Sequence, residues 1–205
     1  MAHDHGNFPD QSKVALLLID VINDLNFPQA DMLMHQALPM AEKLAALKRR
    51  AEQNGIAAIY VNDNFGRWKS DFRQTVQHCT NDDSKGAVIS RQLVPQENDY
   101  FVLKPMHSGF YSTTLDVLLE HLHVDTLVLT GIATNICVLF TANDAYMRGF
   151  SLYVPRDCVA ANTEEEGEYS LKAMKNLLKA DTRPCADLEL AHLGRRKGEH
   201  LRERG

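Results

Sequence analysis

Residues 126–150 read TLVLTGIATNICVLFTANDAYMRGF. The left end, TLVLTG (126–131), is an apolar run of strand length, and a helix-like run, CVLFTANDAYMRG, leaves to the right. A short polar break separates them, with Cys137 at its far edge. A strand feeding a helix across a short break is half of a βαβ unit, and the same alternation recurs along the chain.

Working outward, VALLLID (14–20) is a continuous apolar run closed by a carboxylate, the pattern of a strand buried on both faces. Met40, Leu44, Leu47 and Ala51 follow at helical spacing, with Gly55 placed to end that helix. IAAIYV (56–61) and YFVLK (100–104) are the next two strands, separated by a long polar stretch from Asn62 to Asn98. Leu115, Leu118, Leu119 and Leu122 mark a helix before the 126–131 strand. SLYVP (151–155) is a fifth strand, and Leu171, Met174, Leu177 and Leu178 mark the helix after it. A sixth strand around Asp181–Cys185 fits only an edge, because Pro184 has no N–H to donate to a ladder. These elements predict an α/β protein: a three-layer α-β-α, Rossmann-like fold with a mostly parallel six-stranded sheet.

The domain is expected over residues 13–193, between an N-terminal tail (1–12) and a charged C-terminal tail (194–205). A further short capped helix is expected near Asp187, Leu188 and Leu190. The His3-Asp4-His5 triplet reads as tail rather than metal site. With 22 basic against 27 acidic residues the net charge is -5, which argues against nucleic-acid and membrane-surface partners. No stretch approaches the ~20 apolar residues of a membrane span, and the N-terminus has no secretory signature. Four cysteines without a CxxC pair suggest free thiols and a cytoplasmic setting. No GxGxxG follows any strand, which weakens a dinucleotide-binding role.

In parallel sheets ligands bind beyond the carboxyl ends of the strands. Asp20, Lys104 and Cys137 follow three different strands and are therefore expected at one edge. A thiol attacks as its thiolate, and a helix N-terminus, a neighbouring ammonium and a proton-accepting carboxylate all assist. The helix end contributes only about 0.3–1 kcal/mol, below the 1.36 kcal/mol of one pKa unit. The lysine and aspartate must supply the remainder, and backbone N–H groups at the helix start, Cys137's included, suit a developing oxyanion. Each residue also has a plainer reading: buried small hydrophobe for Cys137, turn cap for Asp20, solvated cation for Lys104. On residue type and placement alone both readings stand.

Three segments add to this: LLLIDVINDL (16–25), LKPMHSGFYSTTL (103–115) and VLTGIATNICVLFTANDAYMRGF (128–150), followed by PRDCVA. Together they resemble the isochorismatase-like cysteine hydrolase superfamily, which includes nicotinamidases and N-carbamoylsarcosine amidohydrolases. The resemblance implies Asp20 as general base, Lys104 as its cationic partner and Cys137 as nucleophile. It also implies a cis peptide between Ile132 and Ala133 and an oxyanion hole from the N–H groups of Ala133 and Cys137. The implied activity is hydrolysis of an amide, ureide or carbamoyl C–N bond of a small molecule through a thioester on Cys137. Two alternatives remain: isochorismatase-type vinyl-ether hydrolysis, which does not need the cysteine, and a catalytically silent small-molecule-binding homologue. The resemblance also implies a homo-oligomer.

Metal-dependent relatives carry Asp-x-His after the second strand and a later histidine, but here that element reads Asp63-Asn64-Phe65. His78, in QHCT, sits where the later histidine could fall. Two ligands of three make a closed site unexpected, so no cofactor or metal is expected. Phe65, Arg67 and Trp68 read equally as a substrate pocket or as packing of the long loop. Cys79, Cys158 and Cys185 are expected to be structural thiols.

Overall fold

The computed structural model describes residues 13–65 and 71–194. The chain order is β1 (Val14–Ile19), α1 (Ala30–Gln53), β2 (Ala57–Asp63), α2 (Phe72–Cys79), α3 (Ala87–Gln92), β3 (Tyr100–Lys104) and α4 (Leu115–His121). Next come β4 (Thr126–Ile132), a π-type turn (Thr134–Val138), α5 (Leu139–Met147), β5 (Ser151–Tyr153), β6 (Val159–Ala160) and α6 (Glu164–Leu177). The sheet has six strands in the order β3-β2-β1-β4-β5, with β6 also pairing β4, and every pairing is parallel. Among the described residues no helix is long and apolar enough to cross a membrane.

Strand β1 shows why its sequence is an unbroken apolar run. Val14, Leu16 and Leu18 pack with Leu33, Met40, Leu44 and Leu47 of α1, whereas Ala15, Leu17 and Ile19 pack with Leu115 and Leu119 of α4 and Ala142 and Ala145 of α5. Successive side chains point to opposite faces, so a strand covered on both faces needs apolar residues at every position. Burying one large aliphatic side chain is worth about 1.5–3 kcal/mol, so this strand anchors both layers. Helix α6 starts at Thr163, whose hydroxyl accepts from the Glu166 N–H at 3.2 Å, with Glu164, Glu165 and Glu166 in the first turn. Acidic side chains there complement the helix dipole.

The predicted sixth strand at Asp181–Cys185 is corrected. Only Asp181 bridges to the sheet, opposite Tyr153, and the sixth strand is instead Val159–Ala160. The chain leaves the edge after Asp181, whose carboxylate accepts from the Arg183 N–H at 3.1 Å, and Pro184 with the turns at Cys185–Asp187 and Leu190–His192 carries it away. The polar stretch 62–98 holds two short helices, α2 and α3, which the sequence pattern did not separate from loop. Helix α1 begins ten residues before Met40 and carries Pro39 inside it. The readings of residues 3–5 and of the C-terminal tail beyond Gly194 lie outside the described residues.

Candidate active site

The strand order reverses at β1, which has β2 on one side and β4 on the other. Chains leaving neighbouring strands toward opposite faces open a crevice at such a point. Asp20 leaves the end of β1 and the 133–137 turn leaves the end of β4, so both reach this crevice. Lys104 ends β3, two strands from β1, a separation of about 9–10 Å. A four-carbon side chain can bridge most of that gap above the intervening strand. Its Nζ lies 2.8 Å from Asp20 Oδ2, 3.5 Å from Cys137 Sγ and 3.8 Å from Asp63 Oδ2.

Several backbone features aim these groups. Asp20 adopts a left-handed conformation with φ 51, its N–H donating to the Val61 carbonyl at 3.0 Å. The Asp63 N–H donates to Asp20 Oδ1 at 2.7 Å, leaving Oδ2 for the lysine. Gly131 has φ 105, and a Cβ there would fall 2.0 Å from the Ile19 carbonyl oxygen, so only glycine lets β4 lie against β1 at this level. The Ile132–Ala133 peptide is cis. The Ala133 carbonyl then accepts from the Ile136 and Val138 N–H groups at 3.1 and 3.2 Å, which closes the wide turn carrying Cys137. Wide turns of this kind recur at functional sites.

Burial governs the electrostatics. Lys104 is fully buried and Asp20 is 5% exposed, whereas Cys137 remains partly accessible. Burial raises the Asp20 carboxyl above its ordinary value despite the opposing pull of Lys104. A buried carboxylate that clings to its proton is a stronger base. Burial, then the Asp20 charge, pushes the Cys137 thiol up to about 12, while Lys104 draws it down. Burial alone would lower Lys104, but Asp20, Cys137 and Asp63 outweigh it and the ammonium stays charged. Burial and the Asp20 charge therefore favour the protonated thiol, and Asp20, beside both Lys104 and Cys137, is placed to accept its proton.

The other predicted residues fall as follows. Phe65 is exposed with φ 52, and its N–H donates to Asp63 Oδ1 at 2.5 Å. Arg67 and Trp68 lie outside the described residues. His78 Nε2 is 3.0 Å from Asp24 Oδ2, at the surface. With Asp63 shared between Phe65 and Lys104, a divalent ion there would meet an ammonium 3.8 Å from its ligand. Among the described residues Asp63 and His78 join no convergent set of metal-ligand atoms, so these residues do not fit a metal. Cys79, Cys158 and Cys185 are buried. Cys185 Sγ sits 3.3 Å from Asp157 Oδ2, and its N–H donates to Asp157 Oδ1 at 2.7 Å, which ties the C-terminal segment to the sheet. Sequence reasoning missed Asp63 as a neighbour of Lys104, although their register partnership follows from the two strands ending together. It also missed Thr141, four residues after Cys137 and so on the same helix face.

The isochorismatase domain profile matches residues 14–183. The uncharacterized isochorismatase family protein YaaI of Bacillus subtilis is 44% identical over 167 residues, 82% of this chain and 91% of its own. Maleamate amidohydrolase of Pseudomonas putida is 28% identical over 167 residues, 78% of each chain. Among solved structures, N-carbamoylsarcosine amidase from Thermoplasma acidophilum superposes with a TM-score of 0.68 at 26% identity, covering 87% of this chain and 99% of its own. A match across nearly all the sheet and helices leaves one assignment: the chain belongs to the isochorismatase family and is a hydrolase.

Proposed function

We propose that this protein is an amidohydrolase that cleaves an amide, ureide or carbamoyl C–N bond of a small molecule through a thioester on Cys137. The observation that carries this reading is the meeting of Lys104 Nζ with both Asp20 (2.8 Å) and Cys137 (3.5 Å) in a buried setting with one partly accessible thiol. The maleamate amidohydrolase and N-carbamoylsarcosine amidase relatives support the bond type. Vinyl-ether hydrolysis has less support, because it gives the thiol no task.

In the proposed cycle Asp20 takes the Cys137 proton and Sγ attacks the carbonyl carbon. The N–H groups of Ala133 and Cys137 receive the oxyanion, a contribution of about 2.7–4 kcal/mol per donor in comparable sites. The C–N bond then breaks, Asp20 returning its proton to the leaving nitrogen. A water molecule, deprotonated by Asp20, attacks the thioester, which releases the acid and restores the thiol. Lys104 holds Asp20 in place and balances its charge. Phe65, with Arg67 and Trp68, is proposed to border the substrate pocket, and the active form is proposed to be a homo-oligomer.

The test is ammonia release from nicotinamide, maleamate, N-carbamoylsarcosine and ureidoacrylate, with Cys137→Ala as control. Turnover on one of them, abolished in Cys137→Ala without change in the unfolding midpoint, is the expected result. Full turnover in that variant would sink the thioester mechanism, and a covalent adduct on Cys137 by mass spectrometry would support it.

A further inference from the structure

The loop that follows Lys104 is fastened to the helix that follows Cys137 at three successive points. Ser108 Oγ donates to Asp144 Oδ2 at 2.5 Å. The Gly109 N–H donates to Thr141 Oγ1 at 3.0 Å. The Phe110 ring lies beneath the Arg148 guanidinium, 4.6 Å from its centre. The acceptors and cation recur at helical spacing, Thr141, Asp144 and Arg148, and so continue one stripe that begins at Cys137.

Thr141 is the member of this strap that touches the thiol's own residue. Its hydroxyl donates to the Cys137 carbonyl at 2.7 Å while accepting from Gly109, so both hydrogen-bonding roles are used. The side chain is fully buried. Gly109 has no room to move inward, since a Cβ there would lie 2.8 Å from Val61 Cγ1 and 3.5 Å from Thr141 Cγ2. The loop is pressed between β2 and α5, and Ser108 also accepts the Phe110 N–H at 3.2 Å. Lys104 ends β3 and Cys137 follows β4, strands of one sheet that do not pair directly, and the loop–helix strap joins the segments that follow them outside the sheet. The Gly109–Thr141–Cys137 chain ties that loop to the backbone of Cys137 itself, beside the direct contact between Lys104 Nζ and Cys137 Sγ.

We propose that Thr141 is a positioning residue, whose bridging hydroxyl sets the Cys137 thiol against the Asp20–Lys104 pair. This rests on the amidohydrolase reading for its consequence on turnover, though not for its consequence on the thiol. Losing the bridge lets the wide turn relax, and the thiol then leaves the position where burial, with the Asp20 charge, holds its pKa high. Turnover falls while the thiol drifts back toward the ordinary value of about 8.5.

The experiment uses Thr141→Val, Thr141→Ala and Thr141→Ser, read two ways. Alkylation of Cys137 by iodoacetamide is followed by mass spectrometry across pH, and kcat and KM are measured on whichever of nicotinamide, maleamate or N-carbamoylsarcosine yields ammonia. Thr141→Val and Thr141→Ala are expected to lower kcat about tenfold to a hundredfold with KM held within about twofold, as misplacement of a reacting group predicts. Their alkylation profiles move to lower pH than the parent's. Thr141→Ser, which keeps the hydroxyl, restores both. Folded Val or Ala variants with the parent's alkylation profile, or a Ser variant that fails to rescue it, overturn the proposal. Using the smaller Ala variant guards against a packing failure of Val, and if no compound is turned over the alkylation profile alone decides. Ammonia release surviving in Cys137→Ala overturns the amidohydrolase mechanism instead, and leaves the alkylation comparison intact.

Discussion

Replacing Lys104 by methionine removes one charge from the centre of the site while filling nearly the same volume. Lys104 is fully buried, and Asp20, 2.8 Å away, is only 5% exposed, so the carboxylate loses this close cation without gaining water. Breaking a buried pair in this way costs about 3–5 kcal/mol when the orphaned charge stays ionised. At about 2–4 °C per kcal/mol for a chain of this size, the melting temperature should fall by roughly 6–20 °C. The pH dependence has a definite sign. Burial already raises Asp20, and Lys104 opposes that rise, so the variant's Asp20 lies higher still. A carboxyl that holds its proton more tightly when folded stabilises the fold below the unfolded value of about 3.9, and this advantage is lost as pH rises through the folded value. The deficit of Lys104→Met relative to the parent should therefore be smallest near about pH 4 and widen toward about pH 8. Guanidinium unfolding midpoints at several pH values measure it. The double variant Lys104→Met with Asp20→Asn should recover much of the loss, because no charge is left stranded. A deficit below about 1 kcal/mol at every pH, or a double variant no more stable than the single one, would refute the reasoning.

Other outcomes follow from particular contacts. Because the Cys137 thiol is pushed up to about 12, its alkylation in the native protein should accelerate roughly tenfold per pH unit from neutrality upward. Cys79, Cys158 and Cys185 are buried and should react only after unfolding, which mass mapping of the modified peptides reads directly. Gly131→Ala should fail to give soluble folded protein, or lose about 3 kcal/mol or more, since its Cβ would lie 2.0 Å from the Ile19 carbonyl oxygen at φ 105. Arg50→Met removes the guanidinium bonds to the Cys185 and Leu188 carbonyls at 2.8 and 2.6 Å. It should cost about 1.5–3 kcal/mol and expose the segment after Pro184 to limited proteolysis while leaving turnover near that of the parent.

The fold class was legible because its evidence is local. Apolar runs covered on both faces, each followed by a helix, suffice to specify a parallel sheet, and β3 and β4 fall within a residue of where their sequences place them. Other elements escaped for identifiable reasons. Helices α2 and α3 have only eight and six residues, too few turns for a helical period to emerge. Pro39 lies inside α1 and usually ends a helix, so the pattern before Met40 reads as something else. The Asp181–Cys185 segment, Asp-Thr-Arg-Pro-Cys, has no apolar run to hold it in the sheet, and its backbone turns away after one bridge.

Sequence alone determined which residues end strands, and hence that Asp20, Lys104 and the 131–137 turn belong to one edge. Strand order is a different kind of fact, because it depends on which distant strands share hydrogen bonds. Tertiary structure alone decided that β1 sits between β2 and β4, which puts Asp20 beside Cys137 and makes Lys104 reach across a strand to meet both. It also decided the burial that raises the Asp20 and Cys137 pKa values, since desolvation depends on every layer packed around a group. The strap from Ser108, Gly109 and Phe110 to α5 belongs to the same category. Its partners are 32 to 38 residues apart in the chain and meet only once the helix has docked on the sheet.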